Sequence, residues 1–309
     1  MSTYLITGAT SGLGRQVARR IASMGGHRLV LPARDAVKAK PLRTELLGLG
    51  AAEVSTPALD LSSLQSVGAF VETFRRDMPH RLDGVLLNAG SQSAKRLVET
   101  TDGIESTFAV NHLAQYLLLL GLEDCLSAQA TVGWTASGTH DPAETAARLS
   151  GFRGARYTTA ARIARGEYDD ASIEQACKDA YATSKLCNIV TARAFARTGS
   201  ATRTYFAFDP GLMPGTGLAR EQGPLMQWIW KTVLPRLASL LPGTSSTERS
   251  SAVLTDLLIG TLRGSHNGAY FNYTGKQLEP AHPAQEKAVE EDLLSTSNQL
   301  VARFVQAAA

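Results

Sequence analysis

Tyr181 and Lys185, in the run Tyr181-Ala-Thr-Ser-Lys185, stand four residues apart. On a helix that spacing sets them about 40° apart around the axis, so both side chains face the same way. A lysine ammonium beside a phenol favours the phenolate and draws the tyrosine pKa down from about 10. The pair predicts a general acid/base usable near neutral pH. Three upstream segments go with it: Thr7-Gly-Ala-Thr-Ser-Gly-Leu-Gly14, Asn88-Ala-Gly90 and Ser137. The first is a Gly-rich turn suited to a dinucleotide phosphate. The set predicts hydride transfer with a proton relayed through Tyr181.

The elements that position these residues follow from hydrophobic patterning. Residues 3–7 read as a buried strand, followed by the Gly turn and a helix to about Met24. Further strands are expected at 28–31, 53–59, 85–87, 131–135, 202–208 and 269–273. Helices are expected at 36–49, 63–78, 103–127 (carrying Asn111), 175–197 (carrying Tyr181 and Lys185), 247–260 and about 284–304. Strands alternating with helices predict an α/β fold: a doubly wound parallel sheet of Rossmann type with right-handed crossovers. The motifs form one set along the chain, so residues 1–309 are expected to be a single domain. Its substrate side would be built from an insertion at about 138–174 and a lid at about 212–246. Ligands belong past the carboxyl ends of the strands.

In the Gly turn, Gly8, Ser11, Gly12, Leu13 and Gly14 lie between a strand and a helix. Backbone N–H groups can approach phosphate there, at the positive end of the helix. The second strand ends Leu31-Pro32-Ala33-Arg34. A carboxylate in that place suits the ribose 2′-hydroxyl of NAD, whereas arginine suits the 2′-phosphate of NADP. Ala33 removes the acid and Arg34 supplies a bidentate cation, with Arg15 as a possible helper, so NADP(H) is the expected cofactor. Asp60, followed by Leu61, can accept from the adenine amino group or cap a helix before Ser62-Ser63. Asn88, Ala89 and Gly90 let the backbone come close to the adenine ribose.

The chain resembles the short-chain dehydrogenase/reductase family, in chain order over nearly its whole length. The matching residues are the Gly-rich turn, Asp60, Asn88-Ala-Gly90, Asn111, Ser137, Tyr181 with Lys185, and Pro210-Gly211. Within the family it is similar to a branch containing light-dependent protochlorophyllide reductases and retinol-dehydrogenase-like enzymes. The spacing Pro210-Gly211 to Thr216, Leu218 and Arg220, the run Lys185-Leu-Cys-Asn188, and the long stretch from Ser137 to Tyr181 carry that similarity. The light-dependent members have Cys directly after Pro-Gly, where this chain has Leu212. This departure favours a dark carbonyl or alcohol oxidoreductase.

The resemblance implies roles. Tyr181 exchanges a proton with the substrate oxygen and, with Lys185, counts among the cofactor-binding residues. Lys185 lowers its pKa and holds the nicotinamide ribose. Ser137 hydrogen-bonds the same oxygen as an oxyanion-type donor. Asn111 holds a water linking Lys185 to solvent, and Pro210 and Gly211 contact the nicotinamide amide. His140 and Asp141 either line the substrate pocket or begin the insertion as loop structure, which is favoured. Cys187 is expected to be a buried structural thiol. Met226, Trp228, Ile229, Trp230, Val233 and Leu237 make an apolar stretch that reads as a lid over a bulky substrate, a membrane-surface helix, a dimer contact or ordinary core.

Composition sets the remaining bounds. The chain has 309 residues, 44% hydrophobic and 19% charged, with net charge +3. This is ordinary globular composition with no run of like charges, so nucleic acid is not expected as a partner. Three cysteines without paired spacing read as reduced thiols, no apolar run is long enough to span a membrane, and the first strand leaves no room for a leader. A cytoplasmic monomer or homodimer acting on an apolar small molecule, without a metal, is expected. Reduction of an activated C=C bond, and a non-catalytic NADP(H)-binding sensor, are the alternatives.

Overall fold

The computed structural model describes residues 1–77, 81–169, 172–213, 243–260 and 267–305. Its first half alternates β1 (Thr3–Ile6), α1 (Gly12–Ser23), β2 (Arg28–Val30), α2 (Ala36–Gly48), β3 (Glu53–Ser55), α3 (Leu64–Asp77) and β4 (Leu82–Leu87). A composite helix follows: α4 (Ser106–Phe108), a π-helical turn (Ala109–Leu113) and α5 (Ala114–Leu122), then β5 (Leu126–Thr135). The insertion carries the short helices α6 (Thr145–Leu149) and α7 (Ala160–Ala164). After it come α8 (Ile173–Thr198), β6 (Thr204–Asp209), α9 (Thr247–Leu258), β7 (Ala269–Asn272), β8 (Gln277–Leu278) and α10 (Lys287–Val305).

The eight strands form one sheet in the order β3-β2-β1-β4-β5-β6-β7-β8. Every pairing is parallel except β7 with β8, which is antiparallel. The expected doubly wound parallel sheet is present, and β8 is added at its edge by a short hairpin return that needs no crossover helix. Alternation along β1 shows how the layers are filled. Leu5 points into the cluster that includes Val71, Leu117, Ile189 and Leu293, from α3, α5, α8 and α10. Tyr4 and Ile6 point the other way, onto Val17, Leu46 and Leu254 of α1, α2 and α9. A strand buried on both faces reads as an apolar run, as this one does.

Three further expectations change. The helix expected at 103–127 starts at Ser106 and is broken by the π turn that contains Asn111. β5 begins at Leu126, five residues before the expected strand, because a 3-10 turn at Glu123–Cys125 ends the helix early. β3 covers only Glu53–Ser55, with an isolated bridge Ala33↔Ala58 beyond it. The apolar stretch 225–241, with Met226, Trp228, Ile229, Trp230, Val233 and Leu237, lies outside the described residues, as does most of the segment expected as a lid. Among the described residues no helix is long and apolar enough to cross a membrane.

Candidate functional site

The strand order reverses between β1 and β4, and the turns that follow these two strands flank the crevice between them. Gly8 and Gly12 adopt φ of +68° and +58°, the left-handed region that glycine enters without penalty. A Cβ on Gly8 would come within 2.8 Å of the Ala89 Cα, and one on Gly14 within 2.6 Å of Asn88 Nδ2. The two turns are therefore in contact, and side chains there would drive them apart. Thr7, which sequence reasoning passed over, ties them. Its hydroxyl accepts from the N–H groups of Asn88 (2.9 Å) and Ala89 (3.0 Å) and donates to Gln115 Oε1 (2.9 Å). Gln115 Nε2 in turn donates to the Ala89 carbonyl (2.6 Å). The signal for Gln115 was its place four residues after Asn111 in an otherwise apolar helix.

Ser11 stands at the N-cap of α1 in extended conformation, but its side chain caps nothing. The first-turn N–H groups, Leu13 and Gly14 included, have no intrahelical partner and form an anion site by geometry. The Leu13 side chain itself is buried in the core. At the end of β2, Ala33 is fixed by bonds to Pro57 and Leu59, and Arg34 is exposed. Among the described residues Arg34 forms no salt bridge, whereas Arg15 pairs with Glu45 at 2.6 Å. Asp35 is no substitute for the missing ribose carboxylate. Its side chain caps α2 by accepting from Val37 and Lys38 N–H groups. Asp60 accepts from the N–H and hydroxyl of Ser62 at 2.9 and 2.7 Å, so it closes a turn instead of capping α3. Leu61 beside it packs partly against the core.

The second half of the site gathers at the carboxyl ends of β5 and β6. α8 runs under them, capped at Ser172, and buries Tyr181, Lys185 and Asn188. Lys185 Nζ donates to the Thr135 carbonyl at 3.0 Å, and Asn188 Nδ2 donates to the same oxygen at 3.1 Å. The ammonium lies 5.5 Å from the centre of the Tyr181 ring. A Cβ on Gly90 would approach Lys185 Nζ to 3.4 Å and Asn111 Oδ1 to 3.2 Å, so the β4 turn reaches the catalytic helix. Asn111 spends its side chain on protein partners. Oδ1 accepts from Ser91 N–H, and Nδ2 donates to the Ser91 carbonyl and to Ser184 Oγ. It braces the β4 turn against α8, and both amide protons are committed to protein partners.

The protonation expected for Tyr181 is corrected. Burial drives its phenol well above the ordinary value, the Asp209 carboxylate adds to this, and a side-chain hydrogen bond from Ser137 opposes it. Against that burial the Lys185 ammonium, 5.5 Å from the ring centre, does not bring the phenol down. Burial also acts on Lys185 and pulls it down to about 8.

Ser137 follows β5 and starts a 3-10 turn, its hydroxyl accepting from Thr139 N–H. His140 is 2% exposed and belongs to the structure of the loop. Its Nε2 accepts from Ala281 N–H at 3.2 Å, which leaves the proton on Nδ1 to be donated to the Ser137 carbonyl at 2.7 Å. From the insertion, the Phe152 ring lies 6.0 Å from that of Tyr181. Arg153 with Asp179, and Tyr157 with Asp292, fasten the insertion to α8 and α10. Pro210 accepts from Ser250 Oγ, and Gly211 turns at φ +71° with a Cβ site 2.6 Å from the Tyr273 ring. Asp209, immediately before them, is a buried carboxylate pushed up to about 6, chiefly by burial. Its only sequence signal was an acid ending an otherwise apolar strand. Cys187 is fully buried with its thiol pushed up by burial, as a structural thiol should be.

The family model for the KR domain matches residues 2–110. Protochlorophyllide reductase B, chloroplastic, of Oryza sativa subsp. japonica is 34% identical over 306 residues, covering 93% of this chain and 73% of its own length. Protochlorophyllide reductase of Avena sativa is 31% identical, covering 87% of this chain and 88% of its own. A short chain dehydrogenase of Shigella flexneri 2a str. 301, solved as a complex with NADP, shares the fold with TM-score 0.62 at 18% identity. That alignment covers 88% of this chain and 96% of the other.

Proposed function

The chain belongs to the short-chain dehydrogenase/reductase family of oxidoreductases, and on that premise we propose that it interconverts a carbonyl and an alcohol on an apolar small molecule with NADP(H). The carrying observation is the convergence of Tyr181, Ser137 and Lys185 at the carboxyl edge of the sheet, next to a Gly cradle of the right form. The described residues fit the cofactor. The N-terminus of α1 lacks a side-chain cap, a Cβ on Gly12 would meet nothing within 4 Å, and Arg34 is exposed without a carboxylate partner among the described residues.

In this reading the backbone of Ser11 to Gly14 holds the pyrophosphate and Arg34 the 2′-phosphate. Asp60 and Leu61 face the adenine, and Asn88, Ala89 and Gly90 its ribose. Lys185 holds the nicotinamide ribose, with Pro210 and Gly211 beside the amide. The bound cofactor supplies or receives the hydride. The protein's own part is the proton. Tyr181 Oη gives a proton to the carbonyl oxygen during reduction and takes it back during oxidation. Ser137 Oγ donates a hydrogen bond to the same oxygen as charge develops there. The buried setting keeps the phenol protonated until substrate is in place. Residues 1–309 act as one catalytic domain, and Phe152 of the insertion supports a substrate side lined with apolar and aromatic groups.

The protochlorophyllide reductase relatives favour a second reading, reduction of an activated C=C bond. Leu212 argues against it, since leucine cannot donate a proton where the light-dependent members have Cys. Its backbone is engaged with Gly243 and Ser245 instead. Product analysis from an enone with NADPH in the dark separates the two. The allylic alcohol is expected, and a saturated ketone would overturn the carbonyl reading.

A further inference from the structure

Asp209 ends β6 next to the Pro210-Gly211 turn and is 9% exposed. Its Oδ1 accepts from Gly211 N–H at 2.9 Å. A Cβ on Gly138 would lie 3.1 Å from Oδ2, so the carboxylate sits against the chain directly after Ser137, and the Gly138 N–H also bonds to it. Tyr270 of β7 hydrogen-bonds it from a third side. Among the described residues neither lysine nor arginine pairs with it, and Lys185 is anchored on Thr135 instead. A buried carboxylate held by N–H groups but lacking a cation keeps its field directed at whatever lies near. Tyr181 feels that field, since the Asp209 charge raises its phenol.

We propose that Asp209 is a positioning residue: it braces the Ser137 turn against the Pro210-Gly211 turn, and its charge governs how readily Tyr181 exchanges its proton. The proposal rests on Tyr181 as proton donor. A carboxylate beside a phenol disfavours the phenolate, because two like charges then share one apolar site. Neutral Asp209 removes that repulsion and makes the phenol a better acid. The groups that face Asp209 all bear on when this happens. Glu144, at the start of α6, raises it by like charge. The N–H groups of Gly138 and Gly211 and the Tyr270 hydroxyl lower it, and its charge in turn raises Tyr181. Asp141 and Glu144 bear on Tyr270, which stacks edge-on with His140 at 5.2 Å. His140 is held neutral by burial and by its two bonds, so it adds no charge.

The test is Asp209→Asn, which keeps the shape and an acceptor oxygen but removes the charge. Carboxyl-carbon NMR of the whole protein with isotope-labelled aspartate should show one resonance with a midpoint about 6, absent from the variant. In the oxidative direction the alkaline rise of turnover should move about one pH unit lower in the variant, a roughly tenfold gain at fixed pH on the limb. In the reductive direction wild-type turnover should step up as pH falls through the Asp209 midpoint, and the variant should lack that step. Asp209→Asn profiles that superimpose on wild type, or a uniform loss at every pH with a lowered melting temperature, would overturn the role of charge. Tyr181→Phe separates the failures. If that enzyme turns over like wild type, the donor assignment falls and this proposal with it. If it is inactive while the Asp209→Asn profile is unchanged, only this proposal falls.

Discussion

The cofactor half and the catalytic half of this site are built on opposite plans. Around β1 and β4 the work is done by backbone. Gly8, Gly12 and Gly14 clear space, Thr7 and Gln115 tie two turns together, and Arg34 and Asp60 are the charged groups that the cofactor reading uses there. Around β5 and β6 the backbone serves mainly to anchor side chains. Tyr181, Lys185, His140, Asp209 and Tyr270 are all buried, and burial moves the pKa of each, up for the tyrosines and Asp209 and down for Lys185 and His140. The first half is recognition by partly exposed groups. The second is electrostatics among buried ones, where a lost charge or proton matters more. Substitutions should accordingly be felt as affinity in one half and as turnover and pH dependence in the other.

The largest expected effect breaks the catalytic half alone. Tyr181→Phe keeps the ring against Phe152 and Lys185 but removes the proton, so kcat should fall about 10²- to 10⁴-fold. NADPH affinity, measured by fluorescence titration, should stay within a factor of two or so, since the phenol hydroxyl is not asked to hold the cofactor. Turnover retained within a few-fold of wild type removes Tyr181 from the mechanism.

This contrast also explains what was legible in the sequence. Gly8 and Gly14 could be found because only glycine tolerates a neighbouring backbone so close. Arg34 could be read from its place after an apolar strand, and the Tyr181/Lys185 face from helical spacing. The sheet was readable because its buried strands are apolar runs. What escaped was long-range. Asp209 is a lone acid in sequence, and only folding brings Gly138, Tyr270 and Tyr181 around it. The Tyr181 phenol was expected low because a lysine stands four residues on, but the sequence does not display how deeply both are buried. Nor does the sequence show that Asn111 braces Ser91 and Ser184, 20 and 73 residues distant along the chain.

A smaller effect tests how dry the catalytic half is. Lys185 is held near 8 by burial, below its unfolded value of about 10.4. Between those values the unfolded chain binds more protons, so stability must rise with pH there. Below about 8 the folded protein carries the cost of a buried ammonium, and above the unfolded value that cost is gone. Each unit of difference is worth about 1.4 kcal/mol, so the rise attributable to Lys185 is of order 3 kcal/mol. Lys185→Met should lack it. Denaturant unfolding of both proteins across mildly alkaline pH, taken as a difference, isolates it from the titrating tyrosines and cysteines. Equal slopes would mean that Lys185 is better hydrated than its 3% exposure indicates.

The smallest effects lie within the cofactor half and separate its two arginines. Arg34 is exposed and unpaired by any carboxylate among the described residues, so a 2′-phosphate would meet a free guanidinium. Losing a charged hydrogen-bond partner costs about 1.5–3 kcal/mol. Arg34→Ala should therefore weaken NADPH roughly ten- to a hundredfold and leave NADH nearly unchanged. Arg15, one turn into α1, already has Glu45 as partner, and Arg19 pairs with the same carboxylate. To help the phosphate it must first give up that pair. An exposed ion pair is worth about 0.2–1 kcal/mol, so Arg15→Ala should change NADPH affinity by no more than a few-fold. The double variant should then equal the sum of the two single effects, since the arginines share no partner. A deficit of NADPH affinity in Arg15→Ala that matches Arg34→Ala, or a strongly non-additive double variant, would show that the phosphate is gripped by both. The cofactor half would then owe its specificity to a charge cluster, as the catalytic half does, and the contrast between the two would narrow to a difference in burial.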